Sequence, residues 1–559
     1  MPPKPPHVVS AFALAGVLAT MLAACSEPAE VAPPLAAASV PGPAAAMVAT
    51  ASAAAGIAWQ HASSDADVDA AFAQARAEGK PVFVYWGAAW CPPCNQVKAT
   101  IFNRQEFIER SRAFVPVYVD GDSPGAQKLG ARFHVSGYPT MLLFSPQGVE
   151  LTRLPGEVDA ARYTEVLTLG MNAQRPVKEL LAQVKAGGQG LGSNDWRMLA
   201  FYSWDTDHQQ LVPKDGVPAL LRQLAAACPP QPAEIATRLR LEALAASDDK
   251  AAAKPDPEAQ TRLLALLADE AAARAQLDVL TNNAPDITRA LSAPGTPQRA
   301  ALVAAFDLAL KRFEADPTLS RADRMGALIA QVDLARIDVP KASGMASGAA
   351  VSKRPGVKLP AALLADIRTQ TARADREITD GYERQAVITA AAYLLAQAGL
   401  GDESDALLKA NLAKSHSPYY LMSELAGNAK ARGDTAGALH WYEAAFDQSE
   451  GPATRLQWGA SYVSALVELA PRDEARIEKA ARRLLTEAAG QPDAFYERSA
   501  RSLQRVGTAL QRWNRRGAHA AALRRLQAQL DGVCGALPAT DPKRATCAAV
   551  LAAAPKKSA

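Results

Sequence analysis

Cys91 and Cys94, in the run Trp90-Cys91-Pro92-Pro93-Cys94, are separated by two residues. At that spacing two thiols can close a small disulfide ring, open it again, and so exchange two electrons with the thiols of another protein. Only the thiolate attacks, and a free cysteine, with a pKa of about 8.5, is mostly protonated at neutral pH. A helix N-terminus lowers that pKa through its unpaired N–H groups and the positive end of its dipole. Cys91, at the mouth of such a helix, is the expected nucleophile. Cys94, about one turn further in, is the expected resolving residue, which attacks the mixed disulfide and frees the partner. Pro92 and Pro93 stand between the two cysteines, and Pro93 suits an early helical position where a missing N–H costs nothing. Trp90 offers a flat apolar surface beside the reacting sulfur.

The elements needed to position this pair are written on either side of it. Lys80-Pro81-Val82-Phe83-Val84-Tyr85-Trp86-Gly87 is a short apolar run rich in β-formers, and Asn95-Gln96-Val97-Lys98-Ala99 reads as helix. The motif therefore sits where a strand ends and a helix begins. Zinc would need two further ligands at suitable spacing, and neither a second cysteine pair nor paired histidines are present. Covalent haem attachment would need His after the second cysteine, where Asn95 stands. A purely structural disulfide would constrain little, because the loop it closes is so short. Neither a metal nor a cofactor is expected.

Further along, Phe114-Val115-Pro116-Val117-Tyr118-Val119-Asp120 reads as a central strand. Val135-Ser136-Gly137-Tyr138-Pro139-Thr140 then leads into the strand Met141-Leu142-Leu143-Phe144. Ser145-Pro146-Gln147-Gly148 reads as a hairpin turn into Val149-Glu150-Leu151-Thr152-Arg153. From about Ile57 to Met171 the chain resembles a thioredoxin-like domain, an α/β fold with a central mixed sheet flanked by helices. Within that superfamily it is most similar to the C-terminal periplasmic domain of DsbD-type reductases, through Thr100-Ile101-Phe102, Glu106-Phe107-Ile108 and Phe114-Val115-Pro116. The resemblance implies that Pro139 is a cis proline facing the cysteines and that the backbone beside it pairs with an extended substrate. Read without the family, Pro139 is an ordinary strand-initiating proline. Trp90, Pro92, Pro93, Tyr138 and Pro139 are thus the expected supporting and substrate-binding residues. Two positions depart from the family: Tyr85 stands where many thioredoxins bury an acid, and Asn95 where a basic residue often follows the second cysteine. Both bear on the redox potential and the direction of electron flow.

The N-terminus reads as an export signal. Met1 to His7 carries Lys4 and no acid, and Val8 to Leu22 is apolar apart from Ser10 and Thr20, too short for a comfortable membrane span. Leu22-Ala23-Ala24-Cys25 matches a bacterial lipobox, which makes Cys25 the expected lipidated residue; the alternative is ordinary cleavage near Ala24 with an incidental cysteine. By resemblance to Gram-negative lipoproteins, Ser26 rather than Asp after the cysteine implies the outer membrane. Several acyl chains would anchor the protein, facing the periplasm, without a transmembrane helix. Glu27 to about Gly56 is almost entirely Ala, Pro, Ser, Val and Gly, a composition that cannot build a core and suits a tether.

Beyond Met171 the β signals stop, and Ala, Leu, Arg and Glu recur with helical periodicity. Leu425, Ala429, Gly433, Asp434, Ala438, Tyr442 and Ala445 fall at the small and aromatic positions of a tetratricopeptide-type (TPR-like) helix hairpin. Ala391, Leu395, Gly401, Asp402 and Ala406 form a weaker copy, the two Gly-Asp pairs lying 32 residues apart. An ordinary helical bundle with two similar turns is the alternative. Thr454 to Leu485 suggests a further hairpin. Of the remaining cysteines, Cys534 and Cys547 flank a turn-rich connection and are expected to form a structural disulfide worth about 3 kcal/mol. Cys228 has no evident partner and reads as a buried small residue.

The 559 residues thus divide into a leader (1–25), a tether (26–56), a thioredoxin-like domain (57–171), an α-helical region (172–345), a loop (346–360) and a TPR-like α-helical region (361–559). A net charge of +3 argues against a dedicated nucleic-acid binder. Arg512, Arg515, Arg516, Arg524 and Arg525 read as a solvated helix face, and His134 as a surface histidine. The expected function is thiol–disulfide exchange by an exported, lipid-anchored oxidoreductase. Its partners would be protein thiols or disulfides, an electron-donating redox protein, and a protein recruited by the helical region. The alternative is a helical scaffold whose thioredoxin-like domain is structural or redox-sensing. Replacing Cys25 by Ser is expected to move the protein from the membrane fraction to the soluble fraction after cell fractionation; unchanged sedimentation would rule out the lipid anchor.

Overall fold

The computed structural model describes residues 56–207, 210–247, 256–339 and 358–552. The leader, Cys25, most of the tether, the loop at 346–357 and the last residues lie outside them. The first part of the described chain builds β1 (Gln60–His61), α1 (Asp65–Glu78), β2 (Val82–Gly87), α2 (Pro92–Val97), α3 (Gln105–Arg110), β3 (Val115–Asp120), α4 (Ala126–Arg132), β4 (Thr140–Phe144), β5 (Glu150–Leu154) and α5 (Ala160–Met171). The strands form one mixed sheet in the order β1-β3-β2-β4-β5, with β1, β3 and β2 parallel and β4 and β5 antiparallel.

β2 is buried along its whole length because both faces of the sheet are covered, which is why its sequence is an unbroken apolar run. Its residues alternate between two layers. Phe83 and Tyr85 pack with Met141, Leu143, Tyr163 and Leu167; Val82, Val84 and Trp86 pack with Val68, Phe72, Leu129 and Leu142. Helix α1 is bounded by local chemistry. Ser64 and Asp67 form a reciprocal capping box at its start, and Gly79 ends it in the left-handed region (φ 65°). Helix α2 runs on into a single π-helical turn, Lys98–Phe102.

After α5, every regular element among the described residues is a helix, and none is long and apolar enough to cross a membrane. The Pro418–Arg432 and Thr435–Gln448 helices form a hairpin. Gly433 turns in the left-handed region (φ 80°), and the Asp434 carboxylate accepts the N–H of Gly437 (2.8 Å). The preceding hairpin turns not at Gly401 but at Gly399 (φ 83°), and Gly401 and Asp402 already lie in the second helix. The two left-handed glycines are therefore 34 residues apart. A disulfide joins Cys534 and Cys547 (Cα–Cα 5.7 Å), tying the Ala520–Ala536 helix to the Arg544–Ala548 turn of helix. Cys228 is buried and unpaired.

From residue 56 onward, sheet domain and helical region form one unit, joined by an exchange of helix caps. Helix α4 follows Gly125 and has no side-chain cap of its own. Asp493, from the helical region, accepts the N–H groups of Gly125 (3.1 Å) and Gln127 (3.0 Å). Conversely, the Pro452–Leu469 helix follows Gly451 and lacks a cap. Asp122, from the sheet domain, accepts the N–H of Thr454 (2.8 Å) and its hydroxyl (2.5 Å). Each cap of this kind contributes about 1 kcal/mol. Gly451 adopts φ 84°, ψ 140°, a conformation open almost only to glycine, and a Cβ there would lie 2.6 Å from the Asp122 Cβ. Gly451→Ala is expected to cost about 1–3 kcal/mol in chemical denaturation. Gly517→Ala, at a positive φ (75°) but with open space around it, supplies the control that carries only the backbone term. Equal losses in the two variants would show that the Asp122 contact adds nothing.

Candidate active site

Cys91 is the N-cap of α2, and its Sγ accepts the N–H of Cys94 (3.2 Å). The two residues are disulfide-bonded, with Cα atoms 5.2 Å apart. Pro92 and Pro93 occupy the first helical positions and carry no N–H, so the Cys94 amide is the donor left for the sulfur. Asn95, fully buried, donates from Nδ2 to the carbonyls of Ala89 (2.8 Å) and Cys91 (2.9 Å), lashing the loop before the motif to the helix after it. An amide does here by hydrogen bonding what a cation could not do without burying a charge.

The floor of the site is apolar. Tyr85 stacks on Tyr118 (5.3 Å between centroids, 18°), and its hydroxyl donates to the Cys94 carbonyl (3.4 Å). Burial pushes the Tyr85 hydroxyl well above the ordinary tyrosine range, so this position is a neutral donor under the second cysteine. Burial raises the pKa of Asp120, at the end of β3, and lowers that of Lys98 in the π turn.

Tyr138–Pro139 is a cis peptide, and the Trp90 and Tyr138 rings meet edge to face at 6.5 Å. The Gln127 amide donates to the Tyr138 hydroxyl (2.8 Å) and to the Gly121 carbonyl (2.8 Å). Trp90, Cys91, Pro92, Pro93, Cys94, Tyr138 and Pro139 therefore converge on one place. Cys534 and Cys547 pack elsewhere in the helical region, Cys228 is a free buried cysteine in the extended core that also holds Cys91 and Cys94, and exposed His134 takes no part beyond its carbonyl, which accepts from Arg153 (3.0 Å).

The helical region covers this place. Trp90 donates from Nε1 to Asp122 (2.9 Å), stacks on Tyr420 (5.9 Å, 17°) and meets Trp458 edge to face (5.1 Å). The Arg498 guanidinium lies over both the Trp90 ring (4.8 Å) and the Tyr138 ring (5.2 Å). His416 bonds to the Ala89 carbonyl through Nε2 (2.9 Å), and the Gly381–Gln397 helix packs along α2. Arg501 donates to the Ser136 carbonyl (2.6 Å) at the head of the cis-proline loop. Cys91 is only 2 % exposed. The sequence reading missed Asp122, His416, Tyr420, Trp458 and Arg498. One signal could have found the first: the Gly451-Pro452 helix start offers no capping side chain, so a cap must come from elsewhere.

Residues 68–170 match the thioredoxin-like domain family. A 113-residue segment is 34 % identical to Thiol:disulfide interchange protein DsbD 1 of Pseudomonas aeruginosa, covering 20 % of this chain and 19 % of that one. A 112-residue segment is 30 % identical to Thiol:disulfide interchange protein DsbD of Pseudomonas fluorescens, covering 19 % of each. The chain thus spans about a fifth of the length of these relatives. Among solved structures, thioredoxin O2 from Arabidopsis thaliana in the oxidized state is 27 % identical, with 20 % of this chain and 93 % of that one covered and a TM-score of 0.18. A DsbH oxidoreductase is 21 % identical over 22 % and 89 %, with a TM-score of 0.19. The chain carries a thioredoxin-like domain, followed by a large all-helical region.

If the aromatic wall limits access to the sulfur, Tyr420→Ala and Trp458→Ala should each accelerate iodoacetamide alkylation of the reduced Cys91 by about tenfold or more. Val149→Ala, at an exposed position, should leave the rate unchanged. Equal rates in all three would place the barrier elsewhere.

Proposed function

We propose that this chain is an exported, lipid-anchored thiol–disulfide oxidoreductase that reduces or exchanges disulfides of envelope proteins through Cys91 and Cys94. The observation that carries this reading is the seat of Cys91: its sulfur caps α2, accepts the Cys94 amide and is paired with Cys94, beside a cis proline. The DsbD-named relatives share the domain that holds this pair.

In the reaction, the Cys91 thiolate attacks one sulfur of a partner disulfide. The partner's S–S bond breaks, a mixed disulfide forms, and the first partner thiolate leaves. The Cys94 thiolate then attacks the Cys91 sulfur, expelling the second partner thiolate and closing the Cys91–Cys94 disulfide. Two electrons pass from the dithiol to the partner, whose departing sulfurs take up two protons. An electron-donating dithiol protein must then reduce the Cys91–Cys94 bond before another cycle. The thiolate is stabilised by the Cys94 amide and the α2 N-terminus. The neutral Tyr85 hydroxyl donates to the Cys94 carbonyl and is not itself the base for the resolving thiol. Trp90, Tyr138 and Pro139 serve as the surface on which an extended substrate lies. The helical hairpins serve to recruit the substrate or an assembly partner, as repeat surfaces do.

A second reading is favoured by one observation, the burial of Cys91 beneath the helical region. On that reading the chain is a helical-repeat scaffold whose thioredoxin-like domain is structural or senses redox state.

Insulin reduction with a regenerating reductant separates the two. Activity is expected in the intact protein and its complete loss in Cys91→Ser, and Cys94→Ala should accumulate mixed disulfides with partners through Cys91. No adducts in cells, together with normal cellular function of Cys91→Ser, would sink the enzyme reading in favour of the scaffold.

A further inference from the structure

A groove of about 1390 Å³ opens between the Pro452–Leu469 and Glu497–Trp513 helices. It begins at Ser136, in the cis-proline loop, and ends at Trp513 and His519, whose rings stack at 3.7 Å. One wall is a single face of the Glu497–Trp513 helix, where Arg498, Arg501, Arg505 and Arg512 recur at helical spacing; Arg472 also lines the groove.

This charge is compensated only in part, Arg498 standing 3.5 Å from Asp122. The one acid lining the groove, Glu468, is bonded to Lys430 (2.6 Å). Arg501 is held by Glu497 (3.0 Å) and the Ser136 carbonyl. Among the described residues, no ion pair engages Arg472, Arg505 or Arg512, all three of which are exposed. Arg505 has only the Ser502 hydroxyl (3.2 Å), and the crowding of the protein around it, with the nearby Arg501 and Arg498 charges, pulls its pKa down. Like charges lined along a concave wall focus a positive potential, and guanidinium groups pair with carboxylates in a two-pronged geometry.

The dimensions fit a polypeptide. From Arg498 to Arg512 the helix rises about 21 Å, the length of about six residues of extended chain. Gln457, Gln504, Ser464 and Thr508 supply polar partners along the way. The recessed floor suits a strand-like ligand better than a flat bilayer. The groove also leads to the redox motif, since Arg498 lies on the Trp90 and Tyr138 rings.

We propose that this groove binds an acidic, extended segment of a protein substrate and so presents a neighbouring disulfide to the cis-proline loop and Cys91. The presenting role rests on the oxidoreductase reading above; the binding does not.

The test uses the full-length protein and a short peptide of alternating Asp and Glu, with its Asn and Gln counterpart as the neutral probe. Calorimetry should show binding of the acidic peptide alone, weakened by salt and retained in Cys91→Ser. The double variant Arg505→Glu/Arg512→Glu, at two exposed positions, should bind at least about tenfold more weakly, and Arg505→Lys/Arg512→Lys should keep most of the affinity. A disulfide peptide with an acidic flank should be turned over with a KM about tenfold below that of a neutral-flank peptide. The charge-reversal variant should lose that advantage with kcat unchanged. Equal peptide affinity in wild type and the charge-reversal variant would overturn the proposal. So would loss of binding to phosphatidylglycerol vesicles in that variant while the peptide binds neither protein, which would make this a membrane-facing surface. Peptide binding intact in a protein that exchanges no disulfide would support the acidic-segment site while overturning the redox reading.

Discussion

The carboxylate of Asp122 is the pin between the two halves of the molecule. It accepts the indole N–H of Trp90, next to the nucleophilic position, and the amide and hydroxyl of Thr454, at the start of a helix more than three hundred residues later. Arg498 stands 3.5 Å away, spread over the Trp90 and Tyr138 rings. Hydrogen bonds to a charged group contribute about 1.5–3 kcal/mol each, and removing one partner from a buried set leaves the others unsatisfied. Asp493 answers from the other side by capping α4. Because each half supplies the cap the other half lacks, neither junction helix begins with a satisfied backbone unless both halves are in place.

That mutual dependence shapes the chemistry. The redox motif is built by short-range rules: an N-cap sulfur, two prolines without amides, and an asparagine that ties the loop to its helix. Its accessibility is set by long-range packing. The wall of Tyr420, Trp458 and Arg498 holds Trp90 in place and stands over a cysteine that is almost wholly buried. An isolated domain of this kind would meet any thiol that diffused to it. Here helices stand over the cysteine, and an arginine-lined groove reaches Ser136 of the cis-proline loop. The dithiol and the cover over it thus come from different parts of the chain and meet at Trp90.

How much of this was legible beforehand follows from the range of the forces involved. Strand β2 could be read because both of its faces are buried, which writes an unbroken apolar run into adjacent residues. The start of α2 could be read because Cys91, Pro92 and Pro93 carry their own cap chemistry. The hairpin at Gly433 could be read for the same reason, whereas its companion was misplaced: Gly401-Asp402 has the look of a turn, but the left-handed residue is Gly399. Two glycines so near each other satisfy the same pattern, and only the backbone decides which one turns. Asp122, in contrast, looks like any acid in a loop after a strand. Arg498 and Arg505 look like charges on a solvated helix face.

By itself, then, the sequence determined what is encoded in neighbouring residues: the α/β domain with its mixed sheet, the change to an all-helical chain, and the dithiol with its strand-to-helix setting. Those features depend on hydrophobic periodicity and on hydrogen bonds between residues a few positions apart, which a linear reading can follow. Tertiary structure alone decided that the helical region folds back over the dithiol, that Asp122 and Asp493 exchange caps, and that an arginine-lined helix face near the end of the chain meets Ser136 of the cis-proline loop in one groove. These contacts join residues hundreds of positions apart, and each side chain carries no mark of its partner until the backbone brings the two within reach.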